Sequence, residues 1–212
     1  MKLNVNSLWS TIFTFRKKSH RYKISRRDFY EGRNFLNSQE RILNLIRQRD
    51  INSLSTERQI RFYGLSFGST QKAAIKHLGK PNYSTKEKFL NEHSILFYRI
   101  TIGNVQCVLQ LHFLKNEFFL GVIEQKNAFS LTDYEIAKLV RNKYGVQDTH
   151  WAGIIYDQQQ NRVEITEGPV QRIIYSSNNA NLYQSIKYQL LQLDDRNNKF
   201  SHLRAQVMLD MI

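Results

Sequence analysis

The alternation of apolar and polar residues between positions 63 and 125 predicts one short helix followed by an antiparallel sheet. Ser69 or Thr70 can cap the helix, and Gly79 with Pro81 can end it. Three runs rich in β-branched and aromatic residues follow, and they read ILFYRIT, VQCVLQLHF and FFLGVI. Their short links, at Gly103-Asn104 and Lys115-Asn116, require antiparallel pairing.

A second unit repeats this order. Thr132 and Glu135 have the spacing of a capping box, and Gly145 ends the predicted helix. Three more strands are predicted in WAGIIYD, RVEITEG and VQRIIYSS. The same order in both units suggests an internal duplication. The predicted fold class is therefore α+β: an antiparallel sheet of about six strands, built from two helix-plus-three-strand units, with flanking N- and C-terminal helices.

The same patterns divide the chain into an arm and a body. The segment SQERILNLIRQRD predicts a helix with Ser38 as N-cap and with Ile42 and Leu45 facing inward. Polar residues at positions 50–60 then mark a boundary. The predicted organisation is a basic helical N-terminal arm (1–60) and an α+β body (61–212), with tandem units at 61–127 and 128–177 and C-terminal helices at 178–212.

Basic residues are concentrated at the N-terminal end. Residues 1–49 contain twelve Lys or Arg and three Asp or Glu, a balance of +9, and the rest of the chain supplies +4 of the formal total of +13. Charge gathered at one end attracts nucleic acid, a phospholipid surface or an acidic protein face. The alternative is a solvated basic tail that only keeps the chain soluble.

Apolar residues in the arm recur at spacings of three and four between positions 3 and 15, directly before the basic cluster at 16–18. On a helix they form one stripe, which could pack on the chain's own body, enter a partner's groove or lie in a membrane interface. The predicted contact residues combine this stripe with the charges that follow it: Trp9, Phe13, Arg16, Lys17, Lys18, Arg21, Tyr22, Lys23, Arg26 and Arg27.

Residue spacing gives no catalytic or metal-binding pattern. The six histidines are scattered, and the glycines of GLSFGS lack the spacing of a phosphate-binding loop. His112 is expected to be a satisfied sheet residue, and Cys107, inside an apolar run, to be a buried inert thiol. We predict no catalytic residue, cofactor or metal ion, and hence a protein that is not an enzyme.

The N-terminal residues lack the order of a secretory signal, and no run of about eighteen apolar residues could span a membrane. The expected location is the cytoplasm, either free or peripheral to a membrane or a large assembly.

Residues 63–125 also resemble a known family. Gly-Leu-Ser-Phe-Gly-Ser-Thr at 64–70, Leu-Gly-Lys-Pro at 78–81, Phe97-Tyr98 and the Gly103 turn are similar to the small α/β repeat of the beta-lactamase inhibitor protein group and the small outer-membrane assembly lipoproteins. The resemblance implies a helix over an antiparallel sheet, used as a non-enzymatic binding scaffold. The matching positions are structural, so no ligand or contact residue is carried over.

These patterns support a leading hypothesis and an alternative. The first is a non-enzymatic adaptor or assembly protein that binds a partner protein, with the basic arm on an anionic surface. The alternative is a nucleic-acid-binding protein in which the arm follows phosphates while Tyr22, Phe29 and Tyr30 stack on bases. An anionic membrane surface is the third target that the charge permits.

Overall fold

The computed structural model describes residues 25–38, 41–42, 44–45, 53–86, 90–102, 104–125, 132–146, 153–166 and 170–193. In sequence order the strands are β1 (Ser53–Ser55), β2 (Tyr83–Lys86), β3 (His93–Ile102), β4 (Val105–Leu114), β5 (Glu117–Gln125), β6 (Ile154–Tyr156), β7 (Arg162–Thr166) and β8 (Arg172–Ser176). The helices are α1 (Arg26–Glu31), α2 (Gln71–Leu78), α3 (Asp133–Tyr144) and α4, which occupies residues 180–193. Residues 41–42 and 44–45 are also helical.

The strands form one mixed sheet, so the predicted fold class is wrong in two respects. The described residues give eight strands in the order β1-β6-β7-β8-β5-β4-β3-β2, not about six. One neighbouring pair, β1 with β6, is parallel, and every other pair is antiparallel.

The two strands that the sequence pattern missed are the edges of the sheet. β2 is the polar run YSTK, and β1 has three residues. An edge strand buries fewer side chains than a central one, so neither carries the apolar alternation by which strands are recognised. The first predicted unit therefore contributes four strands and the second three, joined where β5 pairs with β8.

Local capping determines where α2 and α3 begin and end, as predicted. The Thr70 hydroxyl accepts a hydrogen bond from the Ala73 amide at the start of α2. At α3 both bonds of the Thr132–Glu135 capping box are present, and Gly145 ends the helix in the left-handed conformation. Each helix also carries an exposed apolar residue, since Ile75 of α2 is 39% exposed and Leu139 of α3 is 57% exposed.

Two layers of apolar residues cover the sheet on opposite faces, since neighbouring residues of a strand point to opposite sides. On the first face α2 and α3 pack with residues 60–65 against Leu109, Leu111 and Phe113. On the second face Leu36, Ile42 and Leu45 pack with α4 against Leu120 and Val122. Cys107 is a buried free thiol on the first face, and burial raises its pKa, as expected for an inert cysteine.

Part of the predicted arm is packed on the sheet. Tyr30, Leu36 and Ile42 are at most 1% exposed, and the Arg41 amide donates to the Ser38 hydroxyl as an N-cap requires. The division into a 1–60 arm and a 61–212 body stays a prediction, and so does the internal duplication.

Candidate anion-binding surface

Helix α1 packs on the face of the sheet beside the edge strand β2, where Tyr30 contacts Ile95, Phe97 and Val108. The Ser25 hydroxyl caps α1 by accepting from the Asp28 amide. The rings of Tyr30 and Tyr83 stack with centroids 5.2 Å apart and an interplanar angle of 6°. The Tyr83 hydroxyl donates to Glu31 at 3.1 Å. Burial of Tyr83 raises its pKa, and this hydrogen bond raises it further. The tyrosine pair therefore fixes α1 beside the edge strand β2.

A buried carboxylate holds the residues after α1 on the sheet. Glu124 of β5 is 4% exposed, and its two oxygens lie 3.4 Å from Arg33 Nε and 3.0 Å from Arg172 Nε. The Gln110 amide reinforces this attachment, since Nε2 donates to the Arg33 carbonyl at 2.6 Å and Oε1 accepts from the Phe35 amide at 2.8 Å. Polar contacts at Arg33 and Phe35 thus join residues 33–35 to the strands beneath them.

Phe29 lies against two guanidinium groups. Arg33 Cζ is 4.0 Å from the ring centroid and Arg99 Cζ of β3 is 4.3 Å from it. Cation–π contact holds each guanidinium against the ring while leaving its N–H groups able to donate. Arg99 is exposed, whereas Arg33 is partly buried beside Glu124.

Asn82 joins a third arginine to this group. An Arg26 guanidinium nitrogen donates to the Asn82 carbonyl, and the Arg99 amide donates to Asn82 Oδ1 at 2.6 Å. We call Arg26, Arg33 and Arg99 the arginine cluster. Of these, Arg33 has Glu124, whereas Arg26 and Arg99 have no carboxylate within 4.0 Å in the part of the chain that the structure describes. The cluster therefore presents two exposed and unbalanced positive charges.

Two of the ten predicted contact residues, Arg26 and Arg27, lie in the part of the chain that the structure describes. Arg26 is exposed and belongs to the arginine cluster. Arg27 is also exposed, but its Nε is 3.0 Å from a Glu31 oxygen, which partly balances its charge. The remaining predicted contacts lie outside the described residues: Trp9, Phe13, Arg16, Lys17, Lys18, Arg21, Tyr22 and Lys23.

Sequence reasoning missed Arg99, Glu124 and Asn82. Arg99 and Glu124 are single charged residues within apolar strands, and Asn82 follows a helix-ending proline. They meet residues of α1 and the turn after it only because β2, β3, β4, β5 and β8 lie side by side. A lone charge in a buried strand was the signal that could have found Glu124, because such a charge requires a partner of opposite sign.

We expect Glu124→Gln to loosen residues 29–36 from the sheet. The substitution leaves Arg33 and Arg172 facing a neutral amide, and it should lower the free energy of unfolding by about 1–3 kcal/mol, because both arginines keep some solvent contact. Hydrogen exchange at the Phe35 amide should become faster than at the centre of β4. The matched control is Glu117→Gln at the exposed start of β5; equal effects of the two variants would contradict the attachment.

A second buried polar group lies on the same face of the sheet. His93 and His112 stack with ring centroids 5.3 Å apart, and His93 Nε2 is 3.2 Å from His112 Nδ1. Burial lowers the pKa of His93 to about 4, and burial together with His93 lowers the His112 pKa well below its usual value. His112 is thus a buried sheet residue with a hydrogen bond to His93, but it is not fully satisfied as predicted, because its Nε2 has no hydrogen-bond partner among the described residues.

Three further findings bear on function. Among the described residues, no group of three or more His, Cys, Asp or Glu side chains could hold a metal ion. None of the described helices combines the length and apolar character needed to cross a membrane. Comparison with protein-family models, curated proteins and solved structures found no match to this chain.

Proposed function

We propose that this protein is a non-enzymatic adaptor or assembly protein that binds a partner protein, with its basic N-terminal arm on an acidic surface of that partner. The observation that carries the proposal is the arginine cluster at the base of the arm. Arg26 and Arg99 add two unbalanced charges to those of residues 1–24, and α1 is attached to the sheet. An anionic partner surface that binds the arm can therefore also contact Arg26 and Arg99 next to the sheet.

The rigid attachment of α1 is a second feature, beside charge, that supports the proposal. Because Tyr83 and Glu124 fix residues 25–36, the arginine cluster is held in position before a partner arrives. A preorganised charged group loses less side-chain entropy on binding than a flexible one. The resemblance of residues 63–125 to a family of binding scaffolds agrees with this proposal and stays a prediction itself.

One observation favours a protein partner over nucleic acid. Tyr30, which the alternative uses to stack on bases, is 1% exposed and already stacks on Tyr83. Phe29 is partly buried and contacts the guanidinium groups of Arg33 and Arg99. Two of the three stacking residues are thus engaged within the protein, whereas the arginine side chains at the surface are able to meet carboxylates.

The test begins with affinity isolation of partners by the full chain from nuclease-treated lysate, followed by titration of the purified partner. Replacing Arg16, Lys17, Lys18, Arg21 and Lys23 together with Gln should weaken binding about 100-fold or more, and Arg99→Gln alone about 3- to 10-fold. Lys72→Gln on the exposed side of α2 is the matched control and should change affinity by less than about twofold.

The salt dependence and the nuclease sensitivity of binding distinguish the nucleic-acid hypothesis from the adaptor. If a parallel isolation without nuclease recovers only nucleic acid, and affinity for it falls by about 10³–10⁵ between 50 and 200 mM salt, the nucleic-acid hypothesis replaces the adaptor. A protein partner whose affinity is unchanged by the five arm substitutions would also contradict the proposal. Loss of binding on Trp9→Ala, with little salt dependence, would assign the interaction to the apolar stripe in a groove of the partner.

A further inference from the structure

A cavity at one end of the sheet is lined by none of the arm's basic residues. It has a volume of about 280 Å³ and lies where β5 begins, where β6 turns into β7 and where β8 leads into α4. Residues from five separate stretches line it, at 59–60, 66–68, 117–119, 159–161 and 177–182. Its size is near the lower end of ligand pockets, which range over about 300–1,000 Å³, so it suits a single ring.

The cavity wall is polar but almost uncharged. Amide and hydroxyl side chains dominate its lining: Gln59, Gln159, Asn161, Ser177, Asn178 and Asn179. Among the described lining residues Glu117 is the one charged side chain, and none is basic, in a protein of formal charge +13. Amides offer donors and acceptors together, so this wall matches a neutral ligand rich in hydroxyl groups rather than an anion.

Buried hydrogen bonds hold the wall in shape. The Asp157 carboxylate accepts from the backbone amides of Ile60, Gln159 and Asn161 at 2.9 Å each. Asn161 Oδ1 then accepts from the Asn178 amide at 3.3 Å. Three of the stretches that line the cavity are thereby tied together, which is the preorganisation that a binding site needs.

One buried hydroxyl group lines the cavity. Ser177 is 9% exposed, and its Oγ has no hydrogen bond of normal geometry, although the Tyr183 hydroxyl lies close enough to interact with it. A hydroxyl group can donate one hydrogen bond and accept two, so Ser177 keeps the capacity to bond a ligand hydroxyl.

The start of α4 contributes polar groups to the same wall. Asn179 caps the helix, since its Oδ1 accepts from the Leu182 amide at 3.1 Å. This bond leaves the Asn179 Nδ2 group, on a residue that lines the cavity, as a donor. The Asn178 side chain is exposed and has no hydrogen bond within the described ranges, so its amide is available to a ligand, while its backbone amide is bonded to Asn161.

An aromatic ring completes the wall. Phe67 is partly buried, and one of its ring faces stacks on Phe118 with centroids 5.3 Å apart and an interplanar angle of 9°. Phe67 also lines the cavity. The C–H groups on the face of a sugar ring pack well on such an apolar surface, because an aromatic face is electron-rich.

We infer that this cavity, the amide pocket, binds a neutral polyhydroxylated ring of the size of one monosaccharide unit. Asn178, Asn179 and Ser177 bond its hydroxyl groups, and Phe67 contacts its C–H face. This inference does not depend on the proposed function, because the pocket and the arginine cluster share no residue.

The test uses saturation-transfer NMR on the full chain with the methyl glycosides of glucose, galactose, mannose and N-acetylglucosamine, each at about 20 mM. At least one should receive saturation with a dissociation constant in the millimolar range, corresponding to about 4 kcal/mol of binding free energy. Glucose 6-phosphate is the charged probe and should bind at least about fivefold more weakly than the matching neutral glycoside.

Asn178→Leu removes the side-chain amide but keeps the backbone bond to Asn161, and it should weaken the bound glycoside about tenfold. Asn142→Leu on the exposed side of α3 is the matched control and should not change binding. In the wild-type chain the backbone amide signals of Asn178 and Asn179 should shift on titration, which keeps the test valid if the variant does not fold. Absence of saturation for all four glycosides, unmoved amide signals, or equal binding by both variants would overturn the inference.

Discussion

Replacing Gly121 with Ala should lower the free energy of unfolding by about 2–3 kcal/mol, the cost of overpacking a tightly filled core. Gly121 lies within β5, opposite Leu111 on one side and Tyr175 on the other. A Cβ atom there would be 2.4 Å from Phe62 Cδ2 and 2.6 Å from Phe62 Cγ. Carbon atoms that are not bonded do not approach so closely, so the ring or the strand must move.

Phe62 has little room to move. It is completely buried and packs edge-on against Tyr175 with ring centroids 5.3 Å apart, while Phe118 lies 5.8 Å away. Combining Gly121→Ala with Phe62→Leu should therefore recover at least about 1 kcal/mol relative to the sum of the two single effects. Denaturant unfolding of the four proteins of this cycle measures that coupling.

Gly79→Ala separates the clash from the backbone effect of losing a glycine. Gly79 has a φ of +84°, and a Cβ atom added to it would meet no heavy atom within 4 Å. Its ψ of −172° places it in a region that residues other than glycine rarely occupy, so its substitution should cost about 1–3 kcal/mol from backbone strain alone. Phe62→Leu should not relieve that cost. Relief of the Gly79→Ala cost by Phe62→Leu, or no coupling between Gly121 and Phe62, would contradict the packing explanation.

Acidification from pH 7 to pH 5 should lower the free energy of unfolding by about 3–4 kcal/mol through His93 and His112, about half from each. Burial depresses the pKa of both imidazoles, to about 4 for His93. The unfolded chain, with histidine pKa values near 6.5, then binds more protons than the folded one. Their effect is absent well above pH 6.5, and stability falls as the pH drops through 6.5 towards 4.

The structure explains why the two histidines of the folded protein do not bind protons readily between pH 7 and pH 5. Among the described residues neither imidazole bonds a carboxylate, and Phe119 packs beside both rings. His112→Leu should halve the dependence of stability on pH between 7 and 5. Val108→Ala in the same strand is the control, because it removes two buried methyl groups without a titratable group and should lower stability equally at every pH. A His112→Leu protein with the full wild-type pH dependence would exclude the histidine pair as its source.

Local sequence signals predicted the central elements of this fold. The caps at Thr70 and Thr132 place the starts of α2 and α3, because a side-chain hydroxyl satisfies a helix amide two or three residues away. The strands β3, β4 and β5 were visible because each is long and apolar and connects to its neighbour through a short turn. The sign and position of the basic arm were also readable directly from the chain.

The arrangement of these elements could not be predicted from local signals. The register of β1 on β6 pairs Ser53 with Ile154, and the attachment of the arm pairs Arg33 with Glu124. Such contacts depend on the competition of all surfaces for burial, and one residue carries little information about a partner so distant in sequence. The amide pocket is hidden for the same reason, since five stretches of chain meet to line it.

The sequence by itself determined the capped helices, the central strands and the concentration of positive charge in the first 49 residues, because these follow from hydrogen bonds, periodicity and charge within a few residues. Only the tertiary structure decided that the edges carry β1 and β2, that Arg26 and Arg99 meet at Asn82, and that two histidines share a buried hydrogen bond. Those outcomes require packing of the whole sheet, which brings together side chains whose separation along the chain leaves no local pattern.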